Sequence, residues 1–382
     1  MSTQPVYINA SAVQCSQIDG KLTQAALTNA QLLNSTLNSE NTTEGKFLYK
    51  PINNKGFGEN GIINNGERIF RTLFNLVDEL ISKHNLTTKD LANTSLFLGS
   101  SSMDIGIIKS DPKLPIWLTP IDKITTALSK RYGLNKLNFT FITACTSSAN
   151  AIIYATRLLK SKQIHKAIIL GCEFYNQLTV SGFLSLGLLS NQSLLAFSNH
   201  RSGMVLGEGV GALLLSNQSF AHDDIEILSG HSSCDSYSLT SSKEDGSHIA
   251  GIIQSSISMS GIKPEDIDLV KVHGTASPNS DDTEFNALKR IFKDIPPIMA
   301  LKPFTGHTLG ACAAIETAIV HTSIKNNNLP LPDYTKQPEN CLLSFSDTGL
   351  SINKYGYMLH NYCGFGGNNA AIILKNRNCF SI

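Results

Sequence analysis

The sequence predicts an α/β fold made of two halves that repeat one order of elements. Three observations predict it. Short apolar runs alternate with segments of helical apolar spacing, which implies strand–helix–strand crossovers and a sheet covered on both faces. The alternation runs through both halves of the chain. No stretch rich in Pro, Gly or Ser separates two blocks, so 382 residues read as one large body or two joined domains.

Residues 33–66 (NSTLNSENTTEG, then INNKGFGENGIINNG) are polar and Asn-rich and read as loops with a little helix. Ile69 to His84 has apolar residues at helical spacing, and TSLFLG at 94–99 reads as a buried strand. Pro120 to Arg131 reads as a helix, NFTFITA at 138–144 as a strand, Cys145 to Lys160 as a helix and KAIILG at 166–171 as a strand. MVLGEGVGALLLS at 204–216 reads as strand material around a Gly-rich turn. The second half repeats the grammar. HIAGIIQSSISMSG (248–261) reads as a helix, IDLVKVHG (267–274) as a strand and turn, and Asp282 to Phe292 and Leu309 to Lys325 as helices. YMLHNYCGFGGNNAAIIL (357–374) reads as two strands around a glycine turn.

Composition narrows the function classes. Hydrophobic residues make up 41%, enough for a sizeable core, while charged residues are only 16% against a norm of about 25%. With 31 basic and 30 acidic residues the chain lacks the basic excess of an electrostatic nucleic-acid binder. The 8 cysteines stand singly with no CxxC pair, which argues against zinc ribbons and thioredoxin-type sites and is too sparse for a disulfide scaffold. The opening MSTQPVYINASAVQ has no basic-then-apolar leader, and no apolar run is long enough to span a bilayer. A cytoplasmic protein with reduced thiols is expected.

Four segments carry chemistry. In ITACTSSANAIIYATRLL (142–159), Cys145 falls between a strand and a helix of small residues. There the positive helix end lowers a thiol pKa and offers backbone N–H groups to an oxyanion. Alone, such a residue is either a nucleophile or a small buried hydrophobe. In VKVHGTASPNSDDTE (270–284), His273 ends a strand, where α/β sheets present groups to ligands, or else is a structural imidazole. In LKPFTGHTLGACAAIE (301–316), His307 stands just before a helix, whose N-terminus favours neutral imidazole. Glu316 sits in an apolar helix and needs a partner, for which Lys302 is the candidate. NYCGFGGNNAA (361–371) brings backbone close to a substrate or makes a tight hairpin. Neither it nor GEGVG (207–211) has phosphate-loop spacing.

Together and in this order, ACTSSANAI, HGTASPNSDDTE, KPFTGHTLGACAAIE and CGFGGNNA resemble the motif series of the β-ketoacyl-[acyl carrier protein] synthases. These are the condensing enzymes of type II fatty-acid and polyketide synthesis. Weaker similarity at GCEFY (171–175), FSNHRSGMVLGEGVG (197–211) and CDSYSLTSSKEDG (234–246) extends it over roughly residues 95–376. The resemblance implies a thiolase-like α/β fold, with duplicated βαβαβαββ halves in a five-layered α-β-α-β-α arrangement. Residues 1–216 would carry the nucleophile, and 217–382 the histidines and a gating loop. It implies Cys145 as acyl acceptor, His273 and His307 as its two histidines, and Lys302 with Glu316 as a supporting pair. Phe365 would be the gate, its N–H joining that of Cys145 in an oxyanion hole. Thr240 and Thr275 would bond the phosphopantetheine arm, with Ser277, Cys363 and Asn368 beside the substrate. It implies no metal and no cofactor beyond the arm carried by the acyl carrier protein. It also implies a homodimer or a heterodimer with a homologous ketosynthase.

The chain departs from the pattern in places. Ala196, Ser198 and Ser202 replace Pro, Asp and Asp; Ser238 replaces a His; Ser277 replaces Thr; Cys363 replaces an aromatic and Asn368 a Thr. An aromatic-to-Cys change reshapes the pocket wall. These features resemble the shorter synthase-like proteins of aryl-polyene and polyketide systems. The expected activity is decarboxylative condensation of a Cys145-held acyl group with malonyl-carrier protein, in fatty-acid or polyketide chain elongation. The alternative is a partner subunit of the chain-length-factor kind, which the lost acidic residues and altered gate favour and intact Cys145 argues against.

Overall fold

The structure is a computed structural model that describes residues 4–16, 18–19, 37–38, 47–52, 66–102, 122–328, 331–332, 341–345 and 351–380. The first half runs β1 (Tyr7–Cys15), α1 (Gly66–Lys83), β2 (Thr94–Gly99), α2 (Lys123–Tyr132), β3 (Phe139–Phe141), α3 (Ser147–Lys160), β4 (Lys166–Glu173) and β5 (Gly209–Ser216). The second runs β6 (Ile225–Cys234), α4 (Ser247–Ser260), β7 (Leu269–Lys271), α5 (Pro278–Ile291), β8 (Ile298–Met299), α6 (Cys312–Asn326), β9 (Tyr357–Cys363) and β10 (Asn368–Lys375). The strand order is β3-β2-β4-β5-β1 in one half and β8-β7-β9-β10-β6 in the other. Directions match as well: β2 is parallel to β3 and β4, β7 is parallel to β8 and β9, and the remaining pairs are antiparallel. The repeat expected from the sequence pattern is thus present strand for strand.

The two sheets join where Tyr7 and Ile8 pair with Glu226 and Ile225. Helix α1 covers β1 and β5 from outside, and α4 covers β6 and β10. Helices α3 and α6 lie between the sheets and are buried nearly all round, which gives five layers. Close approach of α6 explains Gly209 and Gly211 of the GEGVG run, and the Thr305 carbonyl explains Gly207. A Cβ on Gly211 would stand 2.6 Å from Ile315 N, and one on Gly171 would stand 2.7 Å from Ala314 Cβ. The run is therefore bent strand, not the expected turn.

Other differences are local. The stretch expected to be loops holds a strand, Leu48–Lys50, parallel to Leu206–Gly207; it is too short to show a period. The rest of that stretch, and Pro120, lie largely or wholly outside the described residues. The strands expected at 138–144 and 267–274 are paired only over Phe139–Phe141 and Leu269–Lys271, because the chain then turns into functional loops. No periodicity announced β6, with its Gly, His and Ser residues, or the helix Gln177–Ser185. Among the described residues, no helix is long and apolar enough to cross a membrane.

Candidate active site

Cys145 sits in a one-turn 3₁₀ helix, Ala144–Thr146, that leads into α3. The hydroxyls of the Thr-Ser run knit this elbow. Thr146 Oγ1 donates to Thr143 O, Ser147 Oγ donates to Ala144 O, both at 2.7 Å, and Thr143 N–H donates to Ser147 Oγ at 2.9 Å. The elbow holds Ala144 at φ +49°, a left-handed conformation that non-glycine residues seldom adopt. A second elbow, Leu309–Ala311 with Leu309 at φ +43°, leads into α6 just after His307. Ser148 Oγ accepts N–H from Ala313 and Ala314 at 3.1 and 3.2 Å and fastens the two helix starts together. Buried Glu173 accepts from the N–H groups of Ser101, Ser102 and Gly310 at 2.9, 3.0 and 3.1 Å on the other side.

His307 Nε2 lies 3.1 Å from Cys145 Sγ. The His273 ring stands at 90° to that of His307, with centroids 5.2 Å apart. Two acids at the start of α5 hold the loop after β7. Glu284 accepts from the N–H groups of His273 and Gly274 at 2.7 and 3.0 Å, and Asp281 from those of Thr275 and Ala276 at 3.1 and 3.2 Å. Cys145, His273 and His307 are all buried.

Burial pushes the Cys145 thiol up to about 11, while the Phe365 N–H and Lys302 pull against it. The lowered thiol expected at a helix start is not the outcome, because desolvation outweighs the donors. Burial, then Lys302, holds both imidazoles well below their ordinary value. The resting pair is therefore a thiol beside a neutral imidazole. Among the described residues neither His273 Nδ1 nor His307 Nδ1 has a hydrogen-bond partner, so neither tautomer is set from that nitrogen. His307 Nε2 can accept the thiol proton or carry a proton of its own.

The N–H groups of Phe365 and of Cys145 itself are directed at the sulfur. Gly364 packs so closely there that a Cβ would lie 3.3 Å from Cys145 N. The Phe365–Gly367 turn is latched to the loop after β6. Gly366 N–H donates to Leu239 O at 2.7 Å, Asp235 N–H to Gly367 O at 2.9 Å and Cys234 Sγ to Gly366 O at 3.1 Å. Gly367 is at φ +73°, where a Cβ would meet Asp235 O at 1.7 Å. The Phe365 ring stacks on Phe183, centroids 5.3 Å apart and 17° between planes.

A cavity of about 310 Å³ opens over Cys145, His273, His307 and Phe365, walled inside by Phe183 and Met204. Thr240, Thr275, Ser277 and Cys363 line it. Asn368, expected beside the substrate, is not in the wall. It sits behind the turn, and its Nδ2 donates to Phe365 O at 3.4 Å.

Lys302 and Glu316 lie beneath the histidines, with Lys302 Nζ 2.8 Å from Glu316 Oε1. Sequence reasoning missed a third member. Lys271 Nζ lies 2.5 Å from Glu316 Oε2, donates to Asn361 O at 3.0 Å and sits 3.5 Å from the centre of the Tyr362 ring. A lysine between Val270 and Val272 in a buried strand was its signal. Asp281 and Glu284 were also missed, although SDDTE closes the His273 motif with an acidic pair three apart.

A thiol and two imidazoles on a twice-repeated βαβαβαββ frame define a thiolase-fold protein of the cysteine–histidine–histidine kind. The family description "Beta-ketoacyl synthase, N-terminal domain" matches residues 67–221, and "Beta-ketoacyl synthase, C-terminal domain" matches 225–332. The chain belongs to the β-ketoacyl synthase family. It is 29% identical over 271 residues to 3-oxoacyl-[acyl-carrier-protein] synthase 2 of Coxiella burnetii, covering 67% of this chain and 66% of that protein. It is 28% identical over 270 residues to a putative mitochondrial 3-oxoacyl-[acyl-carrier-protein] synthase of Schizosaccharomyces pombe, covering 65% of this chain and 63% of that protein. The matched part thus spans just under two thirds of each of these relatives' length. In fold the chain resembles a structure of the ketosynthase ApeO in complex with its chain length factor ApeC from Xenorhabdus doucetiae. The TM-score is 0.81 at 21% identity, over 98% of each chain. It also resembles a β-ketoacyl synthase from Burkholderia phymatum, with a TM-score of 0.78 at 21% identity, over 98% of this chain and 99% of that one.

Proposed function

We propose that the chain condenses an acyl group held on Cys145 with malonyl-carrier protein, releasing the malonyl carboxyl group and giving a 3-oxoacyl-carrier protein. One observation carries the reading: Cys145 Sγ lies 3.1 Å from His307 Nε2, with His273 crossed over it, at the floor of a cavity. His307 takes the thiol proton as the sulfur attacks an acyl thioester, then returns it to the departing carrier thiol. Malonyl-carrier follows, and decarboxylation leaves an enolate. With a proton on the ring nitrogen that faces the cavity, which for His307 takes a change of tautomer after the first step, each neutral imidazole donates an N–H to the enolate oxygen. Attack on the Cys145 acyl group puts negative charge on the acyl oxygen, towards the N–H groups of Cys145 and Phe365. Thr240, Thr275 and Ser277 would bond the phosphopantetheine arm. No metal or other cofactor enters this reading. The relatives named 3-oxoacyl-[acyl-carrier-protein] synthase support the condensation, and fatty-acid or polyketide chain elongation is the proposed setting.

The working unit is proposed to be a dimer in the cytoplasm. Among the described residues strand β3 ends the sheet with no further partner strand, and Leu137, Ile142 and Tyr154 around it are exposed apolar residues. A second reading, a partner subunit with little turnover, draws on the complexes of a ketosynthase with a chain length factor among the fold neighbours. Intact mass after incubation with acyl-carrier protein and then malonyl-carrier protein, alone and with any co-encoded synthase homologue, tests both. An adduct on Cys145 followed by a 3-oxoacyl product supports the enzyme. Turnover only with the homologue, and no adduct here, supports the partner.

A further inference from the structure

Three residues meet under the histidines, two ammonium groups on one carboxylate, all fully buried. Their placement links the two imidazole-bearing segments. Lys271 is two residues before His273 on the extended chain that continues β7, so both side chains point to the same side. Lys302 opens the short helix Lys302–Thr305 that leads to His307. Glu316, on α6, holds both lysines, so one carboxylate ties the two segments together.

Burial lowers the Lys271 ammonium and Glu316 holds it up, and with both lysines charged the group carries one positive charge in excess. Of the other acids nearby, Glu284 turns its carboxylate to the His273 and Gly274 N–H groups and the Asn361 amide. Glu173 turns its own to Ser101, Ser102 and Gly310. The other titratable groups near the imidazoles include the thiols of Cys145, Cys312 and Cys363, Asp281 behind the His273 loop, Tyr362 against Lys271, and Glu244 and Tyr237 in the cavity wall. Among the described residues, no carboxylate makes a hydrogen bond or ion pair with either ring.

We propose that Lys271 is a positioning residue: it and Lys302 share Glu316, and the ammonium charge left over faces both imidazoles and the anion that forms above them. The positive charge keeps His273 and His307 from protonating, so each ring is neutral when malonyl-carrier arrives. It also attracts the malonyl carboxylate and opposes the desolvation cost of the enolate. Both imidazoles are pushed down first by burial and next by Lys302, with Lys271 contributing in the same direction. The inference deepens the condensation reading and rests on it for the identity of the anion.

The test is Lys271→Met, a neutral side chain of similar length. It leaves the Lys302–Glu316 pair intact, so no charge is stranded and the fold should hold. Histidine-labelled protein is titrated by NMR in the full chain, with His273→Gln and His307→Gln assigning the signals. The expected result is an upward shift of roughly one pH unit or more for both imidazoles. The acid limb of malonyl decarboxylation should move upward by a similar amount. A role in packing alone would lower the rate without moving either. Imidazoles that titrate at the same pH in folded Lys271→Met and in wild type overturn the proposal. If Lys271→Met does not fold, Lys271→Gln takes its place with the same readout, and ordinary titration of both rings near 6.5 in wild type also overturns the proposal. Absence of decarboxylation in wild type, with and without a co-encoded homologue, would remove the condensation reading but leave the histidine titration to judge Lys271.

Discussion

We predict that the stack of Phe365 on Phe183 sets how readily a second substrate enters the cavity. The structure holds the turn closed by this ring pair, at 5.3 Å and 17°, and by backbone bonds to Asp235 and Leu239. Phe183→Leu keeps an apolar side chain in the wall but removes the ring contact. Aromatic pairs contribute about 0.5–1.5 kcal/mol beyond their burial. Losing that much from the closed state multiplies the open population by about 2 to 13. The assay isolates acyl-enzyme, mixes it with malonyl-carrier protein and follows CO2 release in a single turnover. If opening limits entry, release should be about 2 to 13 times faster. Initial acylation of Cys145 should change less, and hydrolysis of the acyl-enzyme should rise as water gains access. Phe183→Tyr, which keeps the stack, should behave as wild type. An unchanged release rate, or equal slowing of both steps, would show that the stack does not govern the gate.

Other outcomes follow from the same geometry. Cys145→Ala should abolish the acyl adduct in mass spectra and leave the circular dichroism spectrum unchanged; an adduct on Cys172 or Cys363 would contradict the assignment. His273→Ala or His307→Ala should each cut malonyl decarboxylation by about 10²–10³, the scale of one oxyanion donor, as read by CO2 release. Cys363→Phe places a ring in the cavity wall, so it should shorten products or slow acylation by long chains and spare short ones; identical product profiles would remove Cys363 from the pocket. His321, hydrogen-bonded to Ser11 at 2.7 Å, is held neutral by burial down to about 3. The unfolded chain takes up that proton near 6.5, so this His is destabilising as pH falls from 6.5 towards 3. Its share by pH 5 is about 2 kcal/mol. His321→Gln should therefore flatten the pH dependence of the urea midpoint in that window; an unchanged slope would contradict the sign.

What the sequence disclosed depended on how local the signal was. Strands Thr94–Gly99 and Lys166–Glu173 have apolar centres, Leu96–Gly99 and Ala167–Cys172, because both faces of their sheet are covered, so they were legible almost to the residue. The site was legible through Cys145, His273 and His307, each at the end of an element and each inside a motif. Lys271 escaped because it is single, and only the folded chain shows that Glu316 lies against it. The GEGVG glycines were misread because a glycine that admits a helix looks, in sequence, like one that makes a turn. Asn368 was placed at the substrate by its neighbours, but residues 366–368 turn it behind the gate.

The two elbows occupy the same place in the repeated topology, and each begins on a residue of positive φ, Ala144 and Leu309. Where one has Cys145 the other has Gly310, and a Cβ there would lie 2.3 Å from Ser101 N. The second position is sterically closed to any side chain. The repeat is therefore broken in a fixed sense: one copy supplies the only elbow thiol, and the other supplies both imidazoles. Neither copy holds the full set of thiol and imidazoles, and the described residues offer a single elbow thiol per chain. Titration with an elbow-directed affinity label should saturate at one equivalent per chain, however many chains assemble.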